Sequence, residues 1–153
     1  MPDTPYDSRE DTLLHIDTVR SFLIVFINNL WRRSEVHDAS KLLPPEKKAF
    51  DEFTPRLRAS TYNSPEYRAC MEAMGLALEH HYAHNSHHPE HYVNGIAGLD
   101  LLDLVELLAD WKAASLRHAD GDIRNSLEIN RERFGLSDQL YSILKNTIAR
   151  MGW

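Results

Sequence analysis

Six of the nine histidines fall within one run, His80–His91 (HHYAHNSHHPEH), and a seventh, His37, stands directly before Asp38 in the string VHDASK. Histidine is the commonest metal-ligand side chain. Its unperturbed pKa of about 6.5 leaves it largely neutral, and so able to ligate, at pH 7. A fold for this chain must therefore either bring the His-Asp pair, the histidine run and downstream carboxylates together, which spells a metal site, or leave the run as a solvated, pH-sensitive loop.

The rest of the chain reads as all-α, a single helical domain of about six helices over 11–153 behind a flexible N-terminus, 1–10. A length of 153 residues suits one domain with a sizeable core. Six glycines are few, and no segment combines strand alternation with hairpin turns. A first helix is expected from about Asp11 to Arg33, with Ile16, Val19, Leu23, Phe26, Ile27 and Leu30 on its apolar face. Pro44-Pro45 breaks the chain before a helix over Glu46–Phe53. Ser64-Pro65-Glu66 starts a helix that runs through Met71 and Leu78 into the histidines. Pro89 and Gly95–Gly98 mark a loop, and Asp100 caps the apolar helix LLDLVELLADWKAASLRH, which ends at His118. Gly121-Asp122 precedes a helix over Ile123–Phe134, and Gly135-Leu136-Ser137 leads into a last helix to about Arg150. Trp31, Phe50 and Phe53 are expected in the core.

Composition narrows the partners. A net charge of −6 argues against bulk attraction to a nucleic-acid duplex, so any phosphate binding is local. The lone Cys70 excludes an internal disulfide and a Cys-rich zinc site, and fits a reducing cytoplasm. No signal peptide is evident. The longest unbroken apolar run, Phe22–Ile27, is far short of the ~20 residues that cross a bilayer, so no membrane association is expected.

Three carboxylates add to the histidines. Asp103, Glu106 and Asp110 fall at i, i+3 and i+7 of one helix, hence on one face, among Leu101, Leu102, Leu104, Val105, Leu107 and Leu108. Burying a charge among such neighbours is costly unless a metal or cationic partner offsets it. Otherwise the acids form the helix's wet stripe. His15 shares a face with Val19, Phe22 and Phe26, where a lone histidine is more often a hydrogen-bonded core residue. In the run, His80 and His84 are one turn apart, as are His84 and His88, while His87, His88 and His91 bracket Pro89 and curl over the helix end.

The order His15, His37-Asp38, cluster histidines, Asp110 resembles the HD-domain superfamily of helical metal-dependent phosphohydrolases, with its H…HD…D pattern and, in the two-metal branch, H…HD…H…H…D. His37-Asp38-Ala39-Ser40-Lys41 is similar to the HD-x-G-K motif of the cyclic-dinucleotide phosphodiesterase and inositol oxygenase branches, with Ser40 in the usual glycine's place. Over nearly its whole length the chain also resembles a small phage and bacterial family of HD-like proteins, through HDxSK, HHPEH and DLxELLxDW. That likeness brings no established activity. The resemblance implies His15, His37, Asp38 and Asp110 as ligands, with Asp38 bridging if two metals bind. The second metal would take His81 or His84 and His88 or His91, with His81 and His88 preferred. Lys41 would face substrate.

The expected cofactor is one or two divalent ions, Mn, Fe, Co, Ni or Zn rather than Mg, because mixed imidazole and carboxylate sets favour transition metals. Metal-activated water would attack a phosphomonoester or phosphodiester, with nucleotides the expected substrate class. Lys41, Lys112, Arg117, Arg124 and Arg131 are candidates to stabilise phosphoryl charge. Asp38, Lys41 and Glu106 are the catalytic candidates; Glu106 or Glu90 could shuttle a proton or support a ligating histidine. Asn125, Asn130, Arg131 and Arg133 either contact a base or phosphate or, the favoured reading, form a helix's polar face, and Tyr62-Asn63 is a lid or a capping turn. The alternatives are a di-iron oxygenase of the same superfamily, or a non-catalytic module that binds a nucleotide or a protein. A homodimer is compatible with all three.

Overall fold

In a computed structural model of the chain, residues 6–117 and 121–153 are described; the expected helix end at His118 and most of the expected loose N-terminus fall outside them. The architecture is all-α, with no strand among the described residues. Six helices follow in order: α1 Arg9–Val36, α2 Glu46–Ala59, α3 Pro65–His84, α4 Leu101–Ser115, α5 Ile123–Phe134 and α6 Asp138–Met151. Three short 3-10 turns, Ala39–Leu42, Pro89–His91 and Gly95–Gly98, occupy the connections.

Local chemistry explains the boundaries. Ser64, Asp122 and Ser137 each accept a backbone N–H of the first turn of the helix they precede. Asp100 and Asp103 form a reciprocal capping box at the start of α4. Gly135 ends α5 in the left-handed region at φ 62°. Helix α2 runs past the expected Phe53 to Ala59 and carries Pro55 inside it. Helix α3 reaches His84 as expected but breaks its regular geometry at Gly75, φ 44° and ψ −119°.

The chain divides into two compact units, Met1–Glu35 and Val36–Trp153. In the second, Leu107, Leu108 and Trp111 of α4, Ile123 and Leu127 of α5, and Leu144 and Ile148 of α6 form the core with Leu136; Phe134, Tyr141 and Trp153 pack on it. Helices α2 and α3 pack on each other in the same unit. Helix α1 differs from expectation. None of its residues is buried, and Trp31, expected in the core, is 67% exposed. Its apolar residues are spread around the axis: Leu14, Phe22, Val25 and Ile27 are as exposed as Leu23 and Phe26. By length and composition the segment Arg9–Leu42 is also apolar enough to cross a membrane, because a windowed average tolerates isolated polar residues such as Ser21 and Asn28, which bound the longest unbroken run.

Candidate metal centre

The end of α1 delivers the His-Asp pair. Asp38 adopts a left-handed backbone, φ 56° and ψ 14°, which bends the chain into the 3-10 turn Ala39–Leu42. Aspartate tolerates that region better than most residues, yet a non-glycine there is worth explaining, and such conformations concentrate at functional sites. From α3 come His80 and His81. The connection after α3 supplies His87 and His88, and α4 supplies Glu106 and Asp110. All belong to the unit Val36–Trp153.

The imidazoles converge by their Nε2 atoms. His81 Nε2 lies 3.3 Å from Asp38 Oδ1, and His87 Nε2 lies 3.6 Å from the same oxygen. His81 Nε2 and His88 Nε2 face each other at 2.9 Å. His37 Nε2 is 3.6 Å from Asp38 Oδ2 and 3.8 Å from Asp110 Oδ1. Atoms ligating one ion at about 2.0–2.2 Å are themselves roughly 3–3.6 Å apart, so these separations suit shared ions. Three overlapping groups bring their donor atoms within 4.8 Å of one another: His37, His87 and Glu106; Asp38, His87 and His88; His37, Asp38 and Asp110.

Two of the donor atoms make the strongest point. Asp38 Oδ1 and His87 Nε2 are buried and have no hydrogen-bond partner. An unsatisfied buried polar atom costs on the order of 1–3 kcal/mol, more for a charged group. Two such atoms 3.6 Å apart, beside two further imidazoles, fit a cation between them.

The other edge of the His37, His87 and His81 rings is held by a carboxylate. Glu106 Oε1 accepts from His37 Nδ1 at 2.7 Å and lies 3.1 Å from His87 Nδ1. Glu46, wholly buried, bonds His80 Nδ1 through Oε1 at 2.7 Å and His81 Nδ1 through Oε2 at 2.9 Å. A carboxylate on Nδ1 fixes the tautomer and leaves Nε2 free to ligate.

The charges are consistent with a site that calls for a cation. Asp110 and Glu106, helped by Asp38, push His37 up to about 10 against its burial. Burial acts to raise Asp38, but Lys41, His37 and His81 hold it below the usual aspartate value. Asp110 is likewise held low, its burial outweighed by His37, Lys41 and His88. Burial and the neighbouring His87 and His81 drive His88 down to about 3, so it stays neutral.

A cavity of about 750 Å³ opens onto Asp38, His88 and Asp110. Lys41, Arg58, Arg117 and Arg133 give its walls positive charge, and Tyr62, Tyr67, Tyr82, Trp111 and Phe134 give it aromatic surface. Lys41 Nζ donates to Asp38 Oδ2 at 2.5 Å and stands over the Phe50 ring. Arg133 is braced by Glu90 at 2.7 Å and by the Tyr62 hydroxyl, which donates to Asn130 Oδ1. Burial pushes the Tyr67 and Tyr82 hydroxyls up to about 12, so both remain protonated.

Of the residues singled out in the sequence, His37, Asp38, His81, His88, Glu106 and Asp110 come together, with Lys41 and Arg117 on the cavity wall. His84 and His91 are exposed and turned to the backbone: His84 Nδ1 donates to the His80 carbonyl, and His91 Nδ1 to that of Tyr82. His15 is exposed on α1 and belongs to the unit Met1–Glu35. Arg124 and Arg131 lie on α5 beside Asp122 and Asp138, and neither they nor Lys112 line the cavity. Asp103 is neither a ligand nor part of a wet stripe. It is 2% exposed and accepts from Ser86 at 2.6 Å and Tyr92 at 2.7 Å, tying the histidine-bearing connection to α4.

Sequence reasoning missed His87, Glu46 and Arg58 as parts of the site, and it favoured the polar-face reading for Asn125, Asn130 and Arg133, which line the cavity. The doubled HH before Pro89 was the available signal for His87. None marked Glu46, one of several acids on a polar helix.

A family model described as "Family of unknown function (DUF5662)" matches residues 4–150. No curated protein and no solved structure matches the chain.

Proposed function

The chain belongs to the DUF5662 family of unknown function, and from its own site we propose a divalent-metal-dependent phosphohydrolase of the HD type, acting on a phosphomonoester or phosphodiester, with nucleotides as the substrate class. The observation that carries this reading is the pair of buried, unpartnered donors, Asp38 Oδ1 and His87 Nε2, within a ring of further Nε2 atoms and the carboxylate of Asp110. His37, Asp38, His81, His87, His88 and Asp110 would hold the metal. When bound, such an ion lowers the pKa of a coordinated water and offsets phosphoryl charge.

The chain's own residues supply the rest. Lys41, beside Asp38 and on the cavity wall, suits a phosphate oxygen next to the centre. Arg117 and Arg133 give the cavity further anion-binding capacity, Arg133 already held in place by Glu90. The aromatic walls offer surface to a planar group. Glu106 keeps His37 oriented.

The four-imidazole, two-carboxylate set supports a second reading, a pair of irons in an oxygenase.

Elemental analysis of untagged protein, purified without chelator, is the first test. Mn, Co, Ni or Zn near one or two equivalents per chain, with release of phosphate from a nucleotide panel, is the expected result. Iron with oxygen-dependent turnover would favour the oxygenase. Full metal occupancy retained in both Asp38→Ala and Asp110→Ala would sink the assignment.

A further inference from the structure

Glu46 lies at the start of α2, carries no exposed surface, and does not line the cavity. It nevertheless reaches two adjacent histidines, one with each carboxylate oxygen. Its position is itself secured. Ser40 Oγ donates to Glu46 Oε2 at 2.9 Å, and Asn85 Nδ2 donates to Ser40 Oγ at 2.9 Å and to the His81 carbonyl at 2.8 Å. Ser40 thus links the turn after the His-Asp pair to the end of α3 through one hydroxyl.

We propose that Glu46, clamped by Ser40 and Asn85, is a positioning residue that selects His81 as a ligand by fixing its proton on Nδ1. Three groups face His81 Nδ1: Glu46 Oε2 at 2.9 Å, Asn85 Nδ2 at 3.1 Å and Ser40 Oγ at 3.3 Å. The carboxylate is the nearest and the only charged one, and as an acceptor it calls for the hydrogen on Nδ1, while the Asn85 amide is engaged by Ser40 Oγ and the His81 carbonyl. His81 Nε2 is then left with its lone pair, pointed at Asp38 Oδ1 and His88 Nε2. The same carboxylate binds the Nδ1 of His80, whose ring stacks on exposed His84 at 3.9 Å between centroids. Glu46 thereby separates two neighbouring histidines by role: His81 faces the centre, and His80 braces the carboxylate from outside. A serine hydroxyl is needed for this, since a glycine at position 40 would leave the Glu46 carboxylate with His80 and His81 but without its third partner.

The metal part of this inference rests on the reading above; the tautomer part does not. The decisive experiment is nitrogen-15 imidazole NMR on the metal-free full chain, followed by Co²⁺ titration. Wild type should show His81 protonated on Nδ1. Glu46→Gln, which keeps the volume but presents a donor, should move the proton to Nε2 and weaken Co²⁺ binding by about 10–100-fold. Ser40→Gly should weaken it less, in the same direction, and carries the test if Glu46→Gln does not fold. An unchanged tautomer and affinity in a folded variant would overturn the proposal, as would wild-type His81 protonated on Nε2. If wild type takes up no Co²⁺, the metal-centre reading fails while the tautomer result still decides the role of Glu46.

Discussion

His84 and His87 are three residues apart and stand in opposite circumstances. His84 ends α3 with its ring exposed and its Nδ1 spent on a backbone carbonyl. His87 is 2% exposed, and its Nε2 has no partner. Substituting the two should therefore separate them. His84→Ala leaves metal content and affinity unchanged, whereas His87→Ala weakens binding by more than the ~10–100-fold typical of a supporting residue. Competition with a coloured chelator reads both; equal losses would contradict the donor set. The sequence made the His-Asp pair and Asp110 legible because motif and helical spacing point to them. It could not choose among the run's histidines, because the run crosses the end of α3. Helical periodicity sorts side chains only while the helix lasts, and from Asn85 on the turn sets their directions.

At the scale of elements, the connection between α3 and α4 is where position is most tightly specified. A Cβ on Gly98 would lie 2.5 Å from Tyr92 Cβ and Cγ. Tyr92 cannot yield cheaply at its Cβ, and its hydroxyl donates to buried Asp103. Gly98→Ala should cost about 1–3 kcal/mol, read from the urea midpoint. It should also weaken metal binding, since the same connection carries His87 and His88. Asp100→Ala should cost about 1 kcal/mol through the lost α4 cap. These caps were legible: Ser64, Asp100, Asp122 and Ser137 have the chemistry an orphaned first turn requires. The kink at Gly75 and the double use of Asp103, cap partner and anchor, were not. Both depend on contacts between segments that periodicity does not register.

For the molecule as a whole, Leu127, 2% exposed between α4 and α6, tests the core independently of the site. Leu127→Ala should cost about 2–5 kcal/mol while leaving metal per folded chain unchanged. Metal itself should stabilise the fold by mass action, by about 2.7 kcal/mol at free metal one hundred times Kd, so a chelator should lower Tm reversibly. A chelator-insensitive Tm would count against the centre. The helical class was legible throughout, from scarce glycine and helical spacing. That residues 1–35 count as a compact unit of their own was not, because helical spacing assigns apolar residues to a face of α1 without saying what, if anything, covers it. One further consequence follows from Lys41. Its ammonium bonds the same aspartate that a metal would claim, and His37 across from it holds a proton among three carboxylates. The chain thus furnishes its own counter-ions. Loading such a centre with the proposed metal would be an exchange of cations rather than an addition, and the ammonium displaced from Asp38 would be turned loose beside the cavity, where a substrate's anion would be its next partner.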